Sequence, residues 1–124
     1  MLEIELPFPP SMNQYWRAVP SKTAGGRSIG ARNILSEEGR GYRALVHQII
    51  RPLGLEPMQG RLSLSIEFRE PKPVRQRDLD NYNKALWDSL THAGVWLDDS
   101  QIDHYTVSRG EPGAGVVMVA IQEI

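Results

Sequence analysis

From Arg61 to Phe68 every second side chain is large and apolar: Leu62, Leu64, Ile66 and Phe68 alternate with Arg61, Ser63, Ser65 and Glu67. A period of two makes a strand with one buried face, which needs an apolar cover. Two helical segments are available for that. Ser36 stands as an N-cap before Glu37 and Glu38, and Tyr42, Leu45, Val46, Ile49 and Ile50 follow at helical spacing. This predicts an amphipathic helix over 37–51, stopped by Pro52 and Gly54. Asp80 is placed as the N-cap of a second helix over 81–93, with Ala85, Leu86, Leu90 and Ala93 as its buried stripe and Gly94 at C′.

The remaining elements are shorter. Leu2, Ile4 and Leu6 alternate with Glu3 and Glu5 in a strand that Pro7, Pro9 and Pro10 end. Residues 11–34 are mixed: a polar-aromatic patch runs from Asn13 to Arg17, Gly25-Gly26 marks a turn, and Arg27 to Ala31 reads as a short strand. Val95-Trp96-Leu97 leads into Asp98-Asp99, and strands near 102–108 and 116–122 are joined by Gly110-Glu111-Pro112-Gly113. The order strand, helix, strand, helix, strand, strand predicts an α+β fold: one domain over 1–124, with a mixed β-sheet of about four to five strands and two main helices packed against it. Trp87 and Trp96 read as core or interface residues.

Composition excludes several functions. With no cysteine there is no disulfide framework, thiolate zinc site or cysteine nucleophile. Met1 to Leu6 has neither a basic region nor a long apolar run, which argues against a secretory signal, and nothing approaches the ~18 apolar residues of a membrane span. A cytoplasmic location without membrane attachment is expected. His47, His92 and His104 are far apart with no metal-ligand spacing, and the absence of Walker, dinucleotide and Gly-x-Ser-x-Gly patterns points to no organic cofactor. The formal charge of −1 hides an asymmetry: residues 1–77 carry 12 Lys/Arg and 7 Glu, and residues 78–124 carry 2 Lys/Arg and 8 Asp/Glu. A basic surface beside an acidic pocket suits a polyanion held by cations and cut at metal-binding carboxylates. Mutual neutralisation of the two halves is the plainer explanation.

All six aspartates fall between Asp78 and Asp103, whereas the nine glutamates run from Glu3 to Glu123. Asp78 and Asp80, two apart, leave the same face of an extended segment and suit one hard divalent ion, Mg²⁺ or Mn²⁺. Lys84 stands one helical turn on, where it could neutralise a phosphate or orient water. A tertiary return could bring Asp98 or Asp99 to the same ion. Against this, Asp80 as a cap, Asp80–Lys84 as an exposed pair and Asp98-Asp99 as a polar turn each have a purely structural reading. Those readings leave the like-charge repulsion between Asp78 and Asp80 unexplained.

These residues resemble the RusA-type Holliday junction resolvases, small endodeoxyribonucleases common on prophages. The resemblance lies in Arg77-Asp78-Leu79-Asp80-Asn81, Lys84-Ala85, Asp88, Leu90-Thr91, Ala93-Gly94, Trp96-Leu97-Asp98-Asp99 and Gln101, and extends to Pro9-Pro10-Ser11, Asn13 and Tyr15 to Arg17. It implies a homodimeric, Mg²⁺-dependent enzyme that nicks two opposed strands of a four-way DNA junction and leaves 5′-phosphate and 3′-hydroxyl ends. Carried over by motif, Asp78, Asp80 and Asp99 are the catalytic metal ligands, Lys84 the essential lysine and Asp98 a supporting carboxylate. Asn13, Tyr15, Arg17, Lys72, Arg75 and Arg77 are the DNA-binding candidates. Asp88 is expected to be structural and Asp103 a strand-edge charge. The segment from Arg17 to Asn33 is longer and richer in glycine than the pattern leads one to expect, and Val74 and Gln76 interrupt the basic residues before Asp78. Two other functions fit the same residues: a metal-dependent nucleotide phosphohydrolase, and a non-catalytic DNA-binding module.

Overall fold

The computed structural model describes residues 1–22, 25–26, 28–72 and 78–124. Along the chain lie β1 (Leu2–Pro7), α1 (Met12–Tyr15), β2 (Trp16–Lys22), β3 (Ser28–Leu35), α2 (Glu37–Ile50), β4 (Leu62–Arg69), α3 (Asp80–His92), β5 (Ile102–Arg109) and β6 (Val116–Glu123). Short 3₁₀ turns at Arg51–Leu53 and Asp99–Gln101 follow α2 and precede β5.

The alternating segment is β4, in a four-stranded mixed sheet of order β1-β6-β4-β5. β6 runs antiparallel to both β1 and β4, and β4 pairs in parallel with β5. The buried face comprises Leu62, Leu64, Ile66 and Phe68 of β4, Val117, Val119 and Ile121 of β6, and Ile4 and Leu6 of β1. Tyr42, Val46 and Ile50 of α2, with Tyr82, Ala85, Leu86 and Leu90 of α3, join these in one core. Covering such a face with helices removes apolar surface from water, at about 25 cal/mol per Å². The opposite sheet face presents Glu3, Glu5, Ser65, Glu67 and Thr106, so its exposed end is acidic and polar.

Helix boundaries follow local chemistry. Ser36 caps α2 as expected, its Oγ accepting from the Gly39 amide at 2.9 Å. Gly39 has a further reason to lack a side chain: a Cβ there would overlap the Tyr15 carbonyl oxygen. That carbonyl accepts from the Ser36 amide at 3.0 Å, so α1 is tied directly onto the start of α2. α3 ends in a Schellman motif, with Val95 N donating to Leu90 O and Gly94 N to Thr91 O, each at 3.1 Å. Gly94 takes the required positive φ of 84°.

Two arrangements differ from expectation. Trp16–Lys22 and Ser28–Leu35 form a long two-stranded ribbon, β2 against β3, separate from the main sheet. Arg17 and Ala18 in β2, and Arg32 and Asn33 in β3, are neighbours in sequence and exposed, which erases the period-2 signal there, and Pro20 within β2 reads as a breaker although it is tolerated in a two-stranded edge. The strands joined by Gly110 to Gly113 are not neighbours, because β4 lies between β5 and β6. No helix among the described residues is long and apolar enough to cross a membrane.

Candidate active site

α3 carries the centre of the site. The Asp78 and Leu79 carbonyls accept from the amides of Asn81 (3.1 Å) and Tyr82 (3.2 Å), which sets Asp78 just before the helix and Asp80 as its first residue. Asp80 is therefore not the N-cap expected of it; Leu79 holds that position, with helical φ and ψ. Asp78 and Asp80 are both exposed, and among the described residues neither side chain has a hydrogen-bond or ion-pair partner. The helix dipole favours a negative charge at this end. It does not explain two.

Lys84 stands four residues past Asp80, about 6 Å along the helix axis. Its Nζ reaches 4.0 Å from Asp99 Oδ2, joining α3 to the loop that follows it. That loop is held by Gln101, a buried amide with all its bonds used. Gln101 Oε1 accepts from the amides of Leu97 (2.8 Å) and Asp98 (2.9 Å), and Nε2 donates to Met58 O (2.8 Å) and Gly60 O (2.9 Å). Asp98 caps the 3₁₀ turn, its Oδ2 accepting from Ser100 N at 3.0 Å. This bonding to Ser100 holds the Asp98 carboxyl below its usual range, with Lys84 adding to the effect. Gln101 therefore positions both carboxylates, a role for which the sequence offers no sign beyond its place after Asp98-Asp99.

Chemically the donors suit a hard divalent cation, since Asp78, Asp80 and Asp99 offer only carboxylate oxygens. Among the described residues, however, no three acidic or histidine side chains are gathered closely enough to form a ligand set. Asp78 and Asp80 stand at the start of α3, and Asp99 lies on the loop after its end, with Lys84 reaching across.

Two turns along α3, Asp88 has the opposite surroundings. Its Oδ2 accepts from Arg43 Nη2 of α2 at 2.5 Å and from the Tyr15 hydroxyl, which also lies 3.3 Å from Ser89 Oγ. Burial opposes the Arg43 charge, but bonds to Asp88 and Tyr15 outweigh it and raise the guanidinium pKa. Asp88 thus locks α1, α2 and α3 together. Sequence reasoning missed Arg43, whose partner lies 45 residues away. His47 and His92, distant in sequence, meet edge to face across α2 and α3 with centroids 6.1 Å apart. Burial, then Arg43 and His47, hold His92 below its ordinary pKa of 6.5.

The DNA-binding candidates are dispersed. Tyr15 is fully buried and bonded to Asp88, so its ring cannot stack on a base, which corrects its assignment as a DNA contact. Trp16 beside it is half-buried and lines a cleft of about 800 Å³ together with Asn13 and Asn33. Lys84 and Asp88 form the α3 wall of this cleft. Arg17 alternates to the other face of the ribbon, beside Ser36, Glu37 and Glu38. Lys72 is exposed near Gly113, and Arg75 and Arg77 lie outside the described residues. Asp103 is ion-paired with Arg61 at 2.5 Å on the surface.

Comparison with known proteins adds an independent line. The family model described as endodeoxyribonuclease RusA matches residues 7–122. The crossover junction endodeoxyribonuclease rusA of Enterobacteria phage HK97 is 42% identical over 106 residues, 85% of this chain and 79% of that protein. The proteins of the same name from Escherichia coli K12 and Enterobacteria phage 82 are each 40% identical over 107 residues, 86% of this chain and 80% of theirs.

Proposed function

The chain belongs to the RusA endodeoxyribonuclease family, and from that premise we propose that it is a crossover junction endodeoxyribonuclease acting on four-way DNA in recombination and repair. It makes paired nicks in opposed strands and leaves 5′-phosphate and 3′-hydroxyl ends. The observation that carries this reading is Lys84, which joins the helix at whose start Asp78 and Asp80 stand, without a partner among the described residues, to Asp99 on the loop beyond it.

The cofactor on this reading is Mg²⁺, with Mn²⁺ as a substitute, held by Asp78, Asp80 and Asp99 with Asp98 in support. Such an ion, when bound, makes a water more acidic and offsets charge on the attacked phosphate. The protein's own groups supply the rest. The Lys84 ammonium, about half exposed and only loosely held, is free to pair with a phosphate oxygen as charge develops there. Gln101 fixes the loop carrying Asp98 and Asp99, so two of the acidic groups need no reordering before the reaction. Lys72, Arg75 and Arg77 lead into Asp78 and suit the incoming backbone. Two opposed nicks call for two equivalent sites, so the acting unit is a two-fold pair of chains.

Nicking of a synthetic four-way junction in Mg²⁺, compared with a linear duplex of the same sequence, tests this. The junction is expected to be cut and the duplex spared, and Asp80→Asn to bind the junction without cutting it. Equal cutting of duplex, or an active Asp80→Asn chain, contradicts the reading.

A further inference from the structure

We propose that the cleft beside Lys84 receives one unstacked base of the strand being cut, with Trp16 as its stacking face and Asn13 and Asn33 as the groups that distinguish one base from another. This rests on the junction-cutting reading and deepens it by assigning sequence preference to named residues.

Three observations carry the inference. Lys84 lines the cleft and also reaches Asp99, so a phosphate held at this lysine brings a neighbouring base to the cleft mouth. At about 800 Å³ the space lies within the range of small-ligand sites and takes a nucleotide, not a duplex. Its walls hold what base recognition needs: an aromatic face, two amides and a cation.

The aromatic face is fixed in advance. Trp16 meets Tyr15 edge to face at 5.2 Å and 80°, and Tyr15 is anchored through its hydroxyl to Asp88. The two amides are available. Asn13 and Asn33 are exposed and, among the described residues, make no side-chain hydrogen bond. Asn33 faces Ala18 directly across the ribbon, where a small neighbour leaves room beside Trp16. An asparagine amide offers one donor group and one acceptor, the pairing that reads base edges, and an aromatic ring accepts any base in a stack. Unstacking costs least where stacking is already interrupted, as at the branch point of a junction.

The test is a panel of four-way junctions differing only in the nucleotides at the branch point. The quantity read is the ratio of nicking rates between the best and worst sequences. The wild-type chain is expected to show a clear preference, and Asn33→Ala and Asn13→Ala to reduce that ratio about tenfold. Trp16→Leu should flatten it, and Trp16→Phe, which keeps a stacking face, should restore it. General damage slows every junction alike and leaves the ratio unchanged. If melting curves show that Trp16→Leu does not fold, Asn33→Ala on the exposed ribbon decides the matter. An unchanged ratio in the asparagine variants, or a wild-type chain that cuts all branch-point sequences equally, overturns the pocket and leaves junction cutting intact. A wild-type chain that nicks no junction overturns the reading beneath it.

Discussion

Asp80 and Asp88 occupy the same helix two turns apart, and their surroundings differ in every respect that matters. Asp88 is partly buried and receives a guanidinium and a phenol from two other elements. Asp80, with Asp78 beside it, is exposed and has no partner among the described residues. A carboxylate with its oxygens already engaged serves the fold. A pair of like charges left unpartnered costs stability, and such a pair is kept where something outside the fold is to bind. Activity and stability should therefore divide along α3.

The largest effect on the fold is expected at Asp88. Asp88→Ala leaves Arg43 partly buried and unpaired and frees the Tyr15 hydroxyl, at a cost of about 2–3 kcal/mol. Thermal unfolding should register this as a fall of about 10 °C. A melting point within a degree of the wild type would erase the contrast.

Gln101 tests whether positioning joins the two classes. Gln101→Ala removes four hydrogen bonds from a buried amide and should cost about 1–2 kcal/mol. The same change should lower nicking about tenfold or more, since Asp98 and Asp99 lose their support. A variant that melts lower but cuts at the full rate would confine Gln101 to the fold.

The network around Asp88 also predicts a dependence on pH. Burial, then the Asp88 carboxylate, raise the Tyr15 pKa above its ordinary 10.0, and burial raises that of Tyr42. The folded state thus prefers both phenols neutral. Their contribution is complete below pH 10.0 and declines as pH rises above that value. Denaturation midpoints should be unaffected by these phenols at neutral pH and fall above pH 10.0, less steeply in Tyr15→Phe. The smallest effect is expected at Asp103, paired with Arg61 on the surface where both side chains are about half exposed. Asp103→Ala should leave both melting and nicking unchanged.

What the sequence revealed follows the same division. Strands β1, β4 and β6 and both long helices were legible because each has one face in the core, which imposes a period on the chain. The ribbon meets the core only through residues such as Trp16 and Leu35 at its base, so the short strand read near Ala31 showed part of β3, while Pro20 hid β2. The aspartate cluster was visible because residue type and spacing are local properties. Lys84 was visible for the same reason, whereas the partners brought in by tertiary packing were not. Arg43 is 45 residues from Asp88, and Gln101 acts on backbone more than 40 residues away. Tyr15 and Trp16 are adjacent and aromatic, and only the packing of α1 onto α3 separates an anchor from a cleft wall.

The most direct test is the nicking rate of Asp80→Asn on a four-way junction, measured on a preparation whose melting temperature is known. Wild-type melting and a loss of nicking of at least about a thousandfold are expected. Nicking near the wild-type rate, or a chain that loses activity only because it unfolds, would contradict this.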